Sequence, residues 1–137
     1  MKTYNLTING SASLKLQPDQ SDVQTITAHG PGWIGVGSDK ITHNVVIASN
    51  GQRLDWAGSF EELGPQHFDM LARLQVEVVI FGSGGRIRFP KPAWLAGLAG
   101  QRIGVETMDT PAACRTYNIL AQEGRRVAVA LLLDRAD

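Results

Sequence analysis

The chain has 137 residues, 43% of them hydrophobic and 19% charged, with 13 Lys plus Arg balanced by 13 Asp plus Glu. This length suits one domain with one core, and this composition excludes a disordered chain. Zero formal charge argues against an extended nucleic-acid footprint, because such binding rests on neutralising many phosphates.

The chain opens Met1-Lys2-Thr3-Tyr4-Asn5 and runs through Thr7, Asn9 and Gly10 without the apolar centre of a signal peptide. Leu6 and Ile8, then Leu14 and Leu16, alternate with polar residues about Asn9-Gly10, a pair suited to a type I′ hairpin turn. Residues 1–22 are the least specified part and read as a strand or a flexible arm. Val23 to Ala28 and Trp33 to Gly37 read as strands joined through His29-Gly30-Pro31-Gly32. Ser38-Asp39 leads into a strand from Ile41 to Ala48, and Asn50-Gly51 turns it into Arg53 to Trp56. The pattern is an antiparallel meander with one wet and one packed face.

The style changes near Ser59. Ser59 and Glu62 have the spacing of a capping box, and Pro65 suits a first helical position. Phe68, Leu71, Ala72 and Gln75 then mark one side of a short helix. Val76 to Phe81 is apolar and rich in β-branched residues, as in a strand covered on both faces. Gly82-Ser83-Gly84-Gly85 follows it, and Arg86 to Phe89 reads as extended. Arg86, Arg88 and Lys91, like Arg125 and Arg126 further on, read as a solvated basic rim. Pro92 to Ala99 is a second helix with Trp94, Leu95 and Leu98 inward. Arg102 to Glu106 is a strand, Pro111 to Glu123 the clearest helix, stopped by Gly124, and Arg126 to Leu133 the last strand. The longest apolar run, Val127 to Leu133, has the length of a buried strand rather than of a membrane span.

These elements predict a single domain over residues 1–137, of mixed α/β class in three layers. An N-terminal antiparallel meander extends or covers a C-terminal βαβαβ parallel unit with right-handed crossovers, and helices pack on the other face. A cytoplasmic location, no membrane insertion and no nucleic-acid partner are expected, and neither a metal nor another cofactor. Trp33, Trp56 and Trp94 read either as core or as exposed anchors.

The segment Glu106-Thr107-Met108-Asp109-Thr110-Pro111-Ala112-Ala113-Cys114-Arg115-Thr116-Tyr117-Asn118 resembles the signature of the family that contains complex I assembly factor 3 and the adipogenesis-associated Mth-type domain protein. Phe81 to Arg86 is similar to that family's glycine-rich strand end, and Trp33 to Trp56 to its hairpins. The resemblance runs from about Val23 onward. It implies a small three-layer α/β fold and, from the mitochondrial members, a role in assembling respiratory complex I. Pro111 stands where the family commonly has glycine, a change the first helical turn accepts.

Ligands of parallel α/β sheets sit beyond the carboxyl ends of the strands. Two loops are therefore expected to share one rim: Gly82, Ser83, Gly84, Gly85 and Arg86 after one strand, and Glu106, Met108, Asp109 and Thr110 at the end of the next. The glycine loop can cradle an anion, although it matches neither the P-loop nor the full dinucleotide fingerprint. Thr110 suits an N-cap, with Asp109 beside it where the helix dipole favours negative charge. Glu106, at the end of a buried strand, needs a partner or a raised pKa. It can serve as a general base, bond the glycine loop, or pair with Arg86 or Arg115. Cys114 lies near a helix start, where thiol pKa values fall, but on the flank of the Ala113, Tyr117, Leu120 stripe. As a lone cysteine it forms no internal disulfide. Arg115 and Asn118 occupy the polar face of that helix, open to solvent or a partner. Three functions follow from these residues: a non-catalytic interaction or assembly domain with a protein partner or a second copy of the chain; an anion- or small-molecule-binding enzyme with Glu106 as base; and a redox thiol protein through Cys114.

Overall fold

The structure, a computed structural model, describes residues 4–8, 14–18 and 23–133. In chain order the strands are β1 (Tyr4–Ile8), β2 (Leu14–Pro18), β3 (Ala28–Gly30), β4 (Trp33–Val36), β5 (Asp39–Ile41), β6 (Val45–Ala48) and β7 (Arg53–Asp55). Helix α1 (Pro65–Asp69), β8 (Val78–Gly82), α2 (Ala96–Gly100), β9 (Gly104–Met108), α3 (Thr110–Gln122) and β10 (Val127–Leu131) follow. Single 3₁₀ segments at Met70–Leu74 and Pro92–Leu95 extend the first two helices.

The central layer is a five-stranded sheet of order β7-β6-β10-β8-β9. β10 is parallel to β8 and β8 to β9, while β6 and β7 run antiparallel. The three apolar runs of the second half thus form the expected parallel patch. The chain crosses one way from β8 to β9 through α2, and the other way from β9 to β10 through α3. α2 and α1 pack on one face around Phe68, Leu71, Phe81 and Leu98. α3 packs on the opposite face around Ile80, Tyr117 and Val129. Opposite directions on opposite faces give both crossovers the same hand. Helices therefore cover both faces, not one. Strands as uniformly apolar as β10, buried along its whole length, leave no face for water.

The third layer lies beside α3. Strands β3, β4 and β5 form a separate three-stranded sheet whose Ile34, Val36 and Ile41 join the core on the α3 side. The expected strand from Ile41 to Ala48 is thus two strands in two sheets, broken at Thr42 to Asn44. Asn44 holds the break. Its Nδ2 donates to the carbonyl of Gly58 at 2.9 Å, and its Oδ1 accepts from the Leu133 N–H at 2.7 Å. The expected strand over Val23 to Ala28 keeps only its last residue, and His29 and Gly30 belong to β3 rather than to the turn. The chain before β3 is held by α3 instead. Asn118 accepts from the Ile26 N–H (2.8 Å) and donates to the Ile26 carbonyl (2.7 Å), and the Tyr117 hydroxyl donates to the Gln24 carbonyl.

β1 and β2 pair antiparallel in a sheet of their own. Their register, Ile8 opposite Leu14, leaves five intervening residues rather than a two-residue turn; Asn9-Gly10 itself lies outside the described residues. Ser59 precedes a single 3₁₀ turn, Phe60–Glu62, without a side-chain cap, so the proposed capping box does not form. Pro65 does open α1, where the Gly64 N–H donates to His67 Nδ1 at 3.0 Å. Trp56 and Trp94 join Phe60, Phe68 and Phe81 in an aromatic cluster on the α1/α2 face.

Candidate functional site

The glycine loop and the start of α3 meet at the carboxyl ends of neighbouring parallel strands. Gly82 pairs with Met108 in the β8–β9 ladder. Just beyond it, the Ser83 N–H donates to the Met108 carbonyl (2.9 Å) and the Thr110 N–H to the Gly84 carbonyl (2.8 Å). The Thr110 hydroxyl accepts from the Gly84 N–H at 2.9 Å and donates to the Leu132 carbonyl at 2.7 Å. One side chain thus ties the ends of three segments together. Gly82 permits this closeness: a Cβ there would lie 2.6 Å from Leu131 Cδ2, 3.0 Å from Ala113 Cβ and 3.2 Å from Thr110 Cα.

A cleft of about 560 Å³ opens at this junction. Gly84, Gly85, Arg86, Thr110 and Pro111 form one side, Leu132 and Leu133 the floor, and the end of β3 with its turn into β4, His29 to Gly32, the opposite wall. The wall from His29 to Gly32 is absent from the sequence-derived rim. Those residues read there as an ordinary turn, and nothing local ties them to a loop more than fifty residues on.

Most polar groups of the expected site are engaged in building it. Asp109, not Thr110, caps α3: its Oδ1 accepts from the Ala112 N–H at 2.8 Å. Ser83 is buried; its hydroxyl accepts from the Arg88 N–H (2.8 Å) and donates to the Arg86 carbonyl (2.8 Å). The Ser83 carbonyl in turn accepts from Arg88 Nε (3.0 Å) and Nη2 (2.6 Å), so Arg88 clamps the loop, a role its place in a basic run concealed. Among the described residues, no buried side-chain nitrogen or oxygen lacks a partner. The N–H groups of Gly85 and Arg86, in contrast, carry no hydrogen bond, and both residues are exposed and line the cleft.

Five expected site residues stand elsewhere. Glu106 is exposed on the edge strand β9 and does not line the cleft; its side chain bonds neither the glycine loop nor Arg86 or Arg115. The buried carboxylate inferred from an apolar strand is absent because β9 has only one neighbour and alternates exposed with half-buried residues. Met108 packs against the α3-side core. Arg115 is exposed one turn along α3. Asn118, expected to face solvent or a partner, is consumed by Ile26. Cys114 is 1% exposed, and burial pushes its thiol from 9.0 up to about 12. The lowering expected at a helix start is overwhelmed, and a thiol so held is the reverse of a reactive thiolate.

Fold and site together define a small three-layer α/β domain with an open, largely apolar cleft beyond its parallel strands. A family model described as a protein of unknown function (DUF498/DUF598) matches residues 26–132, and the chain belongs to that family. It is 35% identical over 77 residues to NADH dehydrogenase [ubiquinone] 1 alpha subcomplex assembly factor 3 of Bos taurus, an alignment covering 55% of this chain and 42% of that protein. The chain thus spans less than half of that relative's length. An uncharacterised protein of Rhodobacter capsulatus is 29% identical over 121 residues, covering 85% of this chain and 90% of its own. Among solved structures, a Bordetella parapertussis protein superposes with a TM-score of 0.77 at 38% identity, over 82% of this chain and 97% of its own. A Bordetella pertussis protein described as a Mth938-like domain gives 0.71 at 30% identity, over 91% and 94%. Among the described residues, no helix is long and apolar enough to cross a membrane.

Proposed function

We propose that this chain is a non-catalytic, assembly-factor-like domain that seats a segment of a protein partner in the cleft between the glycine loop and the β3–β4 turn. The observation that carries this reading is how the cleft is built. Its surface is mostly glycine, proline and leucine, with His29 and Arg86 as its other polar side chains, while Ser83, Asp109 and Thr110 are spent on internal hydrogen bonds. An extended apolar segment fits such a surface. The unbonded N–H groups of Gly85 and Arg86, with the Arg86 side chain alongside, favour a carboxylate on that segment. The similarity to an assembly factor supports a protein as the occupant.

The test is a photo-crosslinking side chain at Gly85, where an added Cβ meets open space, compared with the same side chain at exposed Arg73. In the source cells, Gly85 is expected to yield discrete protein adducts that Arg73 does not. Adducts identical from both positions would remove the reading, as would a small metabolite found by native mass spectrometry to block labelling at Gly85.

A further inference from the structure

A second cleft, of about 640 Å³, lies at the opposite end of the central sheet, where the chain enters β8, β9 and β10. Gln75 and Arg102 both line it. They are also the two non-glycine residues with positive φ among those described, at 60° and 59°. Each ends a helical segment and turns the chain toward a parallel strand, a position glycine ordinarily fills because an L side chain there is strained. Both side chains are exposed, and neither makes a hydrogen bond or ion pair. The turn at Arg102 is repaid by backbone bonds from the Arg102 N–H to the Ala99 carbonyl and from the Ile103 N–H to the Leu98 carbonyl, both 3.0 Å. Glycine would make the same bonds, so a side chain kept there without a local bond points to a function for it.

The charges around the cleft indicate which function. Glu77, the one carboxylate lining it, is held by Arg125 through a 2.7 Å ion pair. Arg126 also faces Glu77, through its backbone N–H at 3.3 Å and through its charge. One carboxylate set against Arg102, Arg125 and Arg126 still leaves the cleft net positive, with Gln75 and Gln101 adding amide donors. Guanidinium groups match the oxygens of a phosphate in paired hydrogen bonds. We propose that this cleft binds a phosphate monoester dianion, with Arg102 and Arg126 as its principal contacts. The site is separate from the partner cleft, since the two lie at opposite ends of the same strands.

The test is a titration of the isotope-labelled full chain with inorganic phosphate at constant ionic strength, with chloride as control. Saturable shifts are expected at the Gln75 and Gln101 side-chain amides and at Arg102 and Arg126 Nε–H, and Arg126→Gln should weaken binding about tenfold. Arg102→Gly separates a ligand role from a structural one: it should raise Tm by about 2–6 °C while weakening binding. A lowered Tm, an unchanged affinity, or phosphate shifts no different from those with chloride would each overturn the proposal. Titration with glycerol 3-phosphate and sedimentation with phosphatidic acid vesicles then assign the monoester to a soluble ester or to a lipid headgroup, either of which supports the site.

Discussion

At the scale of single residues, the junction rests on one hydroxyl. Thr110 satisfies the Gly84 N–H and the Leu132 carbonyl at once, and replacing it with valine keeps the shape and orphans both. The expected loss is about 1–3 kcal/mol, read from the urea midpoint, with Thr110→Ser retaining most of the stability. Cys114 gives a pH signature. Its thiol titrates at about 12 in the folded chain, raised from 9.0. The neutral form is therefore favoured by folding, and above pH 9 the unfolded chain loses a proton that the folded chain keeps. Stability should fall as pH rises from about 9 toward 12, and Cys114→Ala should flatten that slope. Equilibrium melts across this range measure it. An undiminished slope in the alanine variant would assign the alkaline loss to other groups, such as Tyr117, whose hydroxyl burial also pushes upward.

At the scale of elements, the seat of α3 on β8 is decided by the absence of a side chain at Gly82. Gly82→Ala must move Leu131, which is fully buried, or lift the first turn of α3 away from the sheet. A loss of about 1–3 kcal/mol is expected from such overpacking, together with shifted amide resonances at Thr110 and Gly84. The elements of the second half were legible because their apolar runs are continuous and their helix is bracketed by Thr110-Pro111 and Gly124. Even so, β8 and β9 begin about two residues later than the apolar runs do, because Gln75 and Arg102 first turn the chain. The first half was less legible. Ile41 to Ala48 reads as one strand, and only the long-range bonds of Asn44 to Gly58 and Leu133 show why it must break. The segment before β3 finds its partner in Asn118, 92 residues away, which no local pattern encodes. The rim at β8 and β9 followed from parallel neighbours alone, whereas its far wall depended on where the third layer docks.

At the scale of the molecule, the two walls of the partner cleft belong to layers of unequal strength. The wall at Gly84, Thr110 and Leu132 is part of the central sheet, where β10 is buried throughout and paired on both sides. The wall at Pro31 and Gly32 belongs to three strands of three or four residues. Their layer is tied back by Ile34, Val36 and Ile41 in the α3-side core, by the bonds of Asn118 and Tyr117, and by an exposed Arg53–Asp39 pair of little energetic weight. Such a layer can open without the core unfolding, which would widen the cleft for a partner. Native-state hydrogen exchange separates the two cases. If β3–β5 opens alone, Thr110→Val, which acts in the central layer, should speed exchange in β10 and leave Ile34 and Val36 unchanged. Asn118→Ala breaks a tie lost in both openings and should speed exchange in both regions. If Thr110→Val instead accelerates Ile34 and Val36 as much as Val129, the layers unfold as one unit, and the cleft has the fixed width of its closed form.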